Sequence, residues 1–465
     1  MKRISVLLVL SFLGTTFGQP YEHVTITSDS LTSAFVPLGN LIEDQMGMND
    51  TAVAVEDIYD AYPGRDEPEK VRSFIRHAYE NWGTTHVLLG GDDHVVPVRY
   101  AWARVWWAGV TMLVPTDWYY SCLDGDWDAD GDDVFGEMGD SVDLLPDVHV
   151  GRAPVSTRES VSLFTGKLTG YCSDSTASYL GRILLAGFDI DATTFGETTM
   201  ELYDSLFVPQ AMKPASKVYD SHTGNHKDTV LSLLEQGQHL FVHDDHGNYY
   251  FMGCGSRNHG WSLRRHEMTG LANEDRLTIM MSLGCYTARF DSLDCILEHA
   301  FGAPNGGAVA TVGHTRYSLY GRDRGQNPQR TLSALQIERL LGELFGHGGH
   351  GSLEDFTVAK ASLASLADTS EPDRWCAYVL TLFGEPRMPV WVPEMTGVAE
   401  RKEGGRMRAV SRLPTVMRGP GLARMDVRVT DIQGRDVTDR RSELAPGVYF
   451  LRQGETRARR KVIIQ

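Results

Sequence analysis

The sequence predicts an α/β protein with mostly parallel sheets, built as two adjacent α/β units and closed by a small β-sandwich-like domain. Three observations lead there. HLFVHDDHG (His239 to Gly247) and LTIMMSLGC (Leu277 to Cys285) each begin as an apolar run long enough for a strand buried on both faces. The stretch from His23 to Asp93 reads strand, helix, strand, the order of a parallel βαβ unit. From Arg401 onward 16 basic and 7 acidic residues give net +9, against −17 for the whole chain, and this shift marks a boundary.

In chain order, MKRISVLLVLSFLGTTFG opens with Lys2 and Arg3, continues with an apolar core from Val6 to Leu13, and has Gly18 before Gln19. It is too short to span a bilayer and reads as a signal peptide over residues 1–18. HVTITS (His23 to Ser28) is an edge-of-core strand. Asp66 to Gly83 is a helix: Asp66 can cap it, Pro68 sits in its first turn, Val71, Phe74, Ile75, Tyr79 and Trp82 recur at helical spacing, and Gly83 stops it. HVLLGGDD (His86 to Asp93) and DVHVGRAPV (Asp147 to Val155) are further strands. A helix from about Thr157 to Tyr171 and a polar joint at SDSTAS (Ser173 to Ser178) complete a first unit over residues 19–175.

RILLAGFD (Arg182 to Asp189) opens the second unit, residues 176–394. The strands before His246 and Cys285 continue it, with GAVATVGHT (Gly307 to Thr315), and LFGEPRMPVW (Leu382 to Trp391) ends it. The two histidines of GHGGHG (Gly346 to Gly351) can bind a metal, although a polar loop is the simpler reading. Residues 395–405 are polar and glycine-rich, hence a linker. Over 406–465, MDVRVTDIQG and LAPGVYFLRQG alternate as strands do, with turn residues between them.

A hydrophobic share of 42% and a charged share of 23% are those of a globular protein. No run after the leader is long enough to span a membrane, so an exported, soluble product is expected. The acidic body argues against nucleic acid as a partner. Export would allow pairing among the six cysteines, though a free nucleophile leaves an odd number and the sequence cannot choose the pairs.

Each of the two opening stretches ends in a side chain with chemistry to offer, an imidazole followed by glycine and a thiol preceded by glycine. Neighbouring parallel strands would deliver both to the carboxyl edge of a sheet, where open α/β sheets bind ligands. The simpler alternative is a core thiol and an unrelated loop histidine, and the strand context of both weighs against it. Between Asp126 and Glu137 the chain matches D-x-D-x-D-G-x5-E, the calcium loop pattern, with Gly131 at the sharp turn. Asp126, Asp128, Asp130, Asp132 and Glu137 are the candidate ligands, and a solvated acidic loop is the alternative. The aromatic, strand-like flanks suit a stabilising calcium and not a helix-opening sensor; no organic cofactor is expected.

With these residues in view, the chain resembles the gingipain family of secreted cysteine peptidases, in the caspase-like clan, over about Tyr21 to Trp391. GRDEPEKVRSFIRHAYENWG followed by HVLLGGD, DVHVGRAPV, the His-Gly pair at His246 and GCYTARFD at Cys285 carry the resemblance. It implies a caspase-like fold, protein or peptide substrates, Cys285 as nucleophile and His246 as catalytic histidine. Asp189 falls where the family carries the acid that orients the imidazole, and the amides of Gly247 and Cys285 fall at its oxyanion hole. GHTRYSLYGRD (Gly313 to Asp323) resembles the segment lining the primary pocket, so Asp323 would pair with a lysine or arginine of the substrate and Tyr320 would form a wall. Arg322 and Arg324 flank Asp323 and can neutralise it. The C-terminal unit resembles the sorting domains of type IX secretion, implying secretion machinery as a partner. In contrast to the family, the leader runs almost straight into the first strand, with no long propeptide.

The leading expectation is thus a secreted cysteine endopeptidase with a thiolate of depressed pKa. The rival is a catalytically silent, calcium-loaded surface or adhesion module on the same fold. A serine hydrolase is disfavoured, because no G-x-S-x-G elbow is present.

Overall fold

A computed structural model of the chain describes residues 20–321, 327–346 and 351–392, together with four short strands between 415 and 464. The expected leader, Asp323, its flanking arginines, His347, His350 and the linker lie outside the described residues.

Ten strands form one sheet: β1 (His23–Thr27), β2 (Asp50–Ala54), β3 (His86–Gly90), β4 (His149–Ala153), β5 (Ile183–Gly187), β6 (Ser216–Tyr219), β7 (Leu240–Asp244), β8 (Thr278–Ser282), β9 (Ala308–His314) and β10 (Leu380–Phe383). Their order is β2-β1-β3-β4-β10-β9-β8-β7-β5-β6. All pairs are parallel except β9 with β10. The two expected α/β units are therefore halves of a single sheet, joined by β10, which pairs with β9 on one side and with β4 on the other. The sequence hides this join because β10 is short and its partner β4 lies more than two hundred residues upstream.

Burial on both faces explains the continuous apolar runs. Within β3, Leu88 belongs to one core layer while Val87 and Leu89 belong to the other. The helix Glu67–Trp82 forms as its punctuation predicts: the Asp66 carboxylate accepts from the Glu69 amide at 3.0 Å, and Gly83 ends it with φ +79°. It buries Val71, Phe74, Ile75 and Ala78, whereas Tyr79 stays exposed. In β4 the Arg152 guanidinium is fully buried, held by both oxygens of Asp117 at 2.7 Å and by the carbonyls of Gly91 and Val96. The C-terminal strands Thr415–Met417, Arg428–Asp431, Gly447–Arg452 and Arg460–Ile464 make a separate four-stranded sheet. Among the described residues no helix is long and apolar enough to cross a membrane.

At the amino edge of the sheet, three strands begin with histidine, and register sets His23 beside His86 and His86 beside His149. His23 lies 2.6 Å from Asp50 and 3.2 Å from Glu385, and His86 lies 2.9 Å from Glu354, which also accepts from Arg387 at 2.5 Å. Burial opposes a charge on His23, but Glu385 and Asp50 outweigh it and raise its pKa to about 10. Such a raised value adds stability that is present in full below the ordinary histidine value and is lost as pH rises through about 10. His23→Ala leaves two buried carboxylates without their cation, so unfolding free energy at pH 7 should fall by roughly 3–5 kcal/mol. Denaturant titrations should show that gap narrowing as pH rises from 7 to about 10 and levelling off above it; a gap constant from pH 7 to about 10 would mean that His23 is neutral.

Candidate active site

The parallel pairing of β7 with β8 sets His243 opposite Ser282, so both chains leave the sheet side by side at its carboxyl edge. Past that point they touch backbone to backbone. A Cβ built on Gly247 would lie 2.9 Å from Gly284 Cα and 3.1 Å from the Cys285 carbonyl, and one on Gly284 would lie 3.1 Å from Gly247 Cα. Only glycine at both places permits the approach. His246 and Cys285 therefore share one rim, as their strand contexts predict.

The turn after β8 is braced from below. The Ser282 hydroxyl accepts from the Gly284 amide at 3.1 Å, and Tyr286 takes the left-handed conformation with φ +56°. The Tyr286 amide donates to the Arg316 carbonyl at 2.8 Å, and the Arg316 guanidinium grips both oxygens of Asp291 at 2.9 and 2.6 Å. Cys285 is half-buried, and its thiol donates to the Ser318 carbonyl at 3.6 Å. Its amide meets no acceptor on another described residue. His243, also on β7, is structural: Nε2 donates to the Gly253 carbonyl at 2.8 Å, which leaves Nδ1 to accept from Ser282 at 2.9 Å.

His246 is exposed, and its Nε2–H donates to the Ile190 carbonyl at 2.9 Å. That bond puts the proton on Nε2 and leaves Nδ1 as a free acceptor. The orienting group expected at Asp189 is thus a main-chain carbonyl one residue later. The Asp189 carboxylate instead accepts from Asn258 at 2.7 Å, and its amide donates to Asp220 at 2.8 Å. The cause is the tight turn after β5, where Ile190 N bonds the Thr194 carbonyl and points the side chain of Asp189 elsewhere. Asp245, not singled out from the sequence, clamps the site: its oxygens accept from the amides of His246 at 2.5 Å, Gly255 at 2.9 Å and Ser256 at 3.0 Å. Tyr320 is half-buried and donates from its hydroxyl to Asp191 at 2.8 Å, which ties the expected pocket segment to the same turn.

The acidic loop gathers Asp128, Asp130 and Asp140, with one carboxylate oxygen of each within 4.8 Å of the others. Glu137 faces the same group: burial raises its pKa, then Asp132, Asp140, Asp130 and Asp128 raise it further. Asp140, just beyond the twelve-residue pattern, was not expected; it joins because its oxygens accept from the amides of Ala129, Gly136 and Glu137 at 2.8–2.9 Å. Asp126 and Asp132 each spend one oxygen on a local amide, of Asp128 and Val134 respectively. Buried Asp128 is paired with Arg65. Both oxygens of Asp128 and of Asp140 already accept amide protons, so a hard cation would be held through their remaining lone pairs together with Asp130.

Comparison with known proteins agrees with this geometry. The model of peptidase family C25 matches residues 17–391. The chain belongs to peptidase family C25, the gingipain family of cysteine peptidases. An uncharacterised protein of Archaeoglobus fulgidus is 24% identical over 309 residues, 60% of this chain and 68% of that one. The crystal structure of the Arg-specific cysteine proteinase gingipain R has a TM-score of 0.59 at 15% identity, covering 98% of this chain and all of that one. A complex of the Porphyromonas gingivalis RgpB pro- and mature domains has the same TM-score at 14% identity, covering 96% of this chain and 100% of that chain. At such identities the likeness is one of fold.

All six cysteines of this C25 peptidase are free, and the five other than Cys285 are buried. The pairing that export would allow is therefore not formed. Burial pushes the Cys285 thiol above its ordinary pKa, outweighing main-chain hydrogen bonding at Ser318 and at Cys285 itself, contrary to the depressed value expected of the sequence. Among the described residues no cation offsets the loss of water around the thiol. Limiting iodoacetamide should modify Cys285 before the other five, at a rate still climbing through pH 9 by peptide mass mapping. A plateau below pH 8 would reveal a thiolate already formed.

Proposed function

We propose that this chain is a secreted endopeptidase in which Cys285 attacks the peptide carbonyl and His246 Nδ1 takes the thiol proton and returns it to the leaving amine. The observation behind this is the close backbone approach of Gly247 to Gly284 and Cys285, which brings the loop carrying His246, with its Nδ1 free, against the loop carrying the most accessible thiol. Proton transfer to His246 within the substrate complex suits a thiol that burial keeps neutral in the resting enzyme. The amides of Gly247 and Cys285 would donate to the oxyanion, a contribution on the order of 100- to 1000-fold in rate per donor. Asp323 would select lysine or arginine by charge, against Tyr320 as a wall. The apolar leader supports export, and the basic C-terminal β unit would be read by secretion machinery.

Cys285→Ala should lower cleavage of lysine- and arginine-containing peptides by on the order of 10⁴-fold or more, with the fold retained. Full activity in that variant would remove the nucleophile assignment. The raised thiol pKa favours one other reading, a silent surface or adhesion module on the same fold. A peptidyl electrophile separates the two, since the silent module would not react selectively at Cys285.

The acidic loop would carry a structural calcium, held by Asp128, Asp130 and Asp140 with Glu137 beside them. Chelation should lower the melting temperature, and Asp130→Asn should abolish the difference between chelated and calcium-loaded protein. An identical melt with and without chelator would remove the metal.

A further inference from the structure

A second group of side chains lies two strands further along the same rim and takes no part in the proposed reaction. Asp220 follows β6, His226 begins the helix His226–Glu235, and His259 sits between the short strands Phe251–Gly253 and Ser262–Arg264. The His226 ring is buried, and its Nε2–H donates to the His222 carbonyl at 3.0 Å. That bond leaves Nδ1 with a lone pair and no proton. It faces Asp220 Oδ1, a second acceptor, at 3.8 Å, too far for a hydrogen bond. Neither atom has a hydrogen-bond partner, and both are buried. Two buried acceptors pointed at one another with no hydrogen between them lack their natural counterpart, a cation.

The third group completes the geometry. His259 Nε2 stands 3.3 Å from the same Asp220 oxygen, and one ligand atom from each of the three residues lies within 4.8 Å of the others. Donor atoms about 2.1 Å from a tetrahedral metal lie about 3.4 Å apart, close to the separations found. Two imidazole nitrogens and one carboxylate oxygen form the donor set of a zinc-like ion, not of calcium or magnesium. The carbonyl behind His226 is the outer contact that metal-bound imidazoles make. Gly255, at φ +82°, keeps the site open: a Cβ there would come within 2.8 Å of Asp220 Oδ1 and 3.3 Å of His226 Nδ1. The partly exposed His259 ring gives a route from solvent, so that water can take the fourth position.

We propose that Asp220, His226 and His259 bind one divalent transition ion of the zinc type. The ion would fasten the 254–261 loop to the segment after β6, and through Asp220 to the turn after β5. Asp220 already accepts from the Asp189 amide through its other oxygen, Asn258 donates to Asp189, and the next carbonyl, that of Ile190, holds His246. These three are positioning residues for the catalytic imidazole. This consequence rests on the peptidase reading, whereas binding of the ion does not.

The test uses the full chain carrying Cys285→Ala, so that the catalytic thiol cannot take the metal. After chelator treatment and dialysis it is titrated with Zn²⁺ against a chromophoric competitor, beside the same chain also carrying His259→Ala or Asp220→Asn. The parent should bind one ion at least about 100-fold more tightly than either variant, and zinc should raise its melting temperature alone, while the metal-free melts agree. His259 is partly exposed and Asp220→Asn keeps the shape of the side chain, so both variants should fold. Equal zinc affinity in parent and variants, or no stoichiometric uptake by the parent, would overturn the site. Either result leaves cleavage by the Cys285-intact chain to be judged separately.

Discussion

The contact between Gly247 and Gly284 is the constraint from which the rest of the site follows. Parallel strands bring their carboxyl ends to neighbouring points, but side chains normally keep the outgoing loops apart. Removing both Cβ atoms lets the loops meet at van der Waals distance between main chains. Residues on either side of that contact, His246 and Cys285, are then positioned by backbone and not by the flexibility of their own side chains. The left-handed Tyr286 and the Ser282 hydroxyl hold the second loop in the turn this requires.

The same rim is organised largely by main-chain groups and buried carboxylates. Asp245 draws the 254–261 loop against the end of β7, and the Ile190 carbonyl fixes the imidazole. A neutral carbonyl sets the tautomer as a carboxylate would, but it lends less stabilisation to an imidazolium. Together with a thiol that burial keeps protonated, this describes a resting site with little charge separation. In the proposed reaction the ionised pair would form with substrate bound, where the amides of Gly247 and Cys285 supply fixed dipoles.

Elsewhere the sheet is secured by charges taken out of water. His23 with Asp50 and Glu385, His86 with Glu354, and Arg152 with Asp117 are all buried where strands of the first half begin or end. Glu385 and Arg387 follow β10 directly, so the strand that joins the two halves is also linked to the histidines at the amino edge. Such pairs contribute little net stability over apolar packing, but breaking one is costly, which favours a single register.

Apolar runs identified β3, β7, β8 and β9 from the sequence alone, because a strand buried on both faces needs no partner to be recognised. The helix at Asp66 was legible for a similar reason: its cap, proline and terminal glycine act within a few residues. The two glycines beside His246 and Cys285 marked the chemistry, since a close approach demands that residue type. Tertiary structure alone decided what depends on distant chain. A carbonyl such as that of Ile190 has no side-chain signature, Asp140 lies outside the local calcium pattern, and β10 finds β4 across more than two hundred residues. The Cys285 pKa is set chiefly by burial, and the meeting of Asp220, His226 and His259 by three separate elements. Local sequence encodes what neighbours along the chain can do to one another; partners brought together by folding leave no spacing to read.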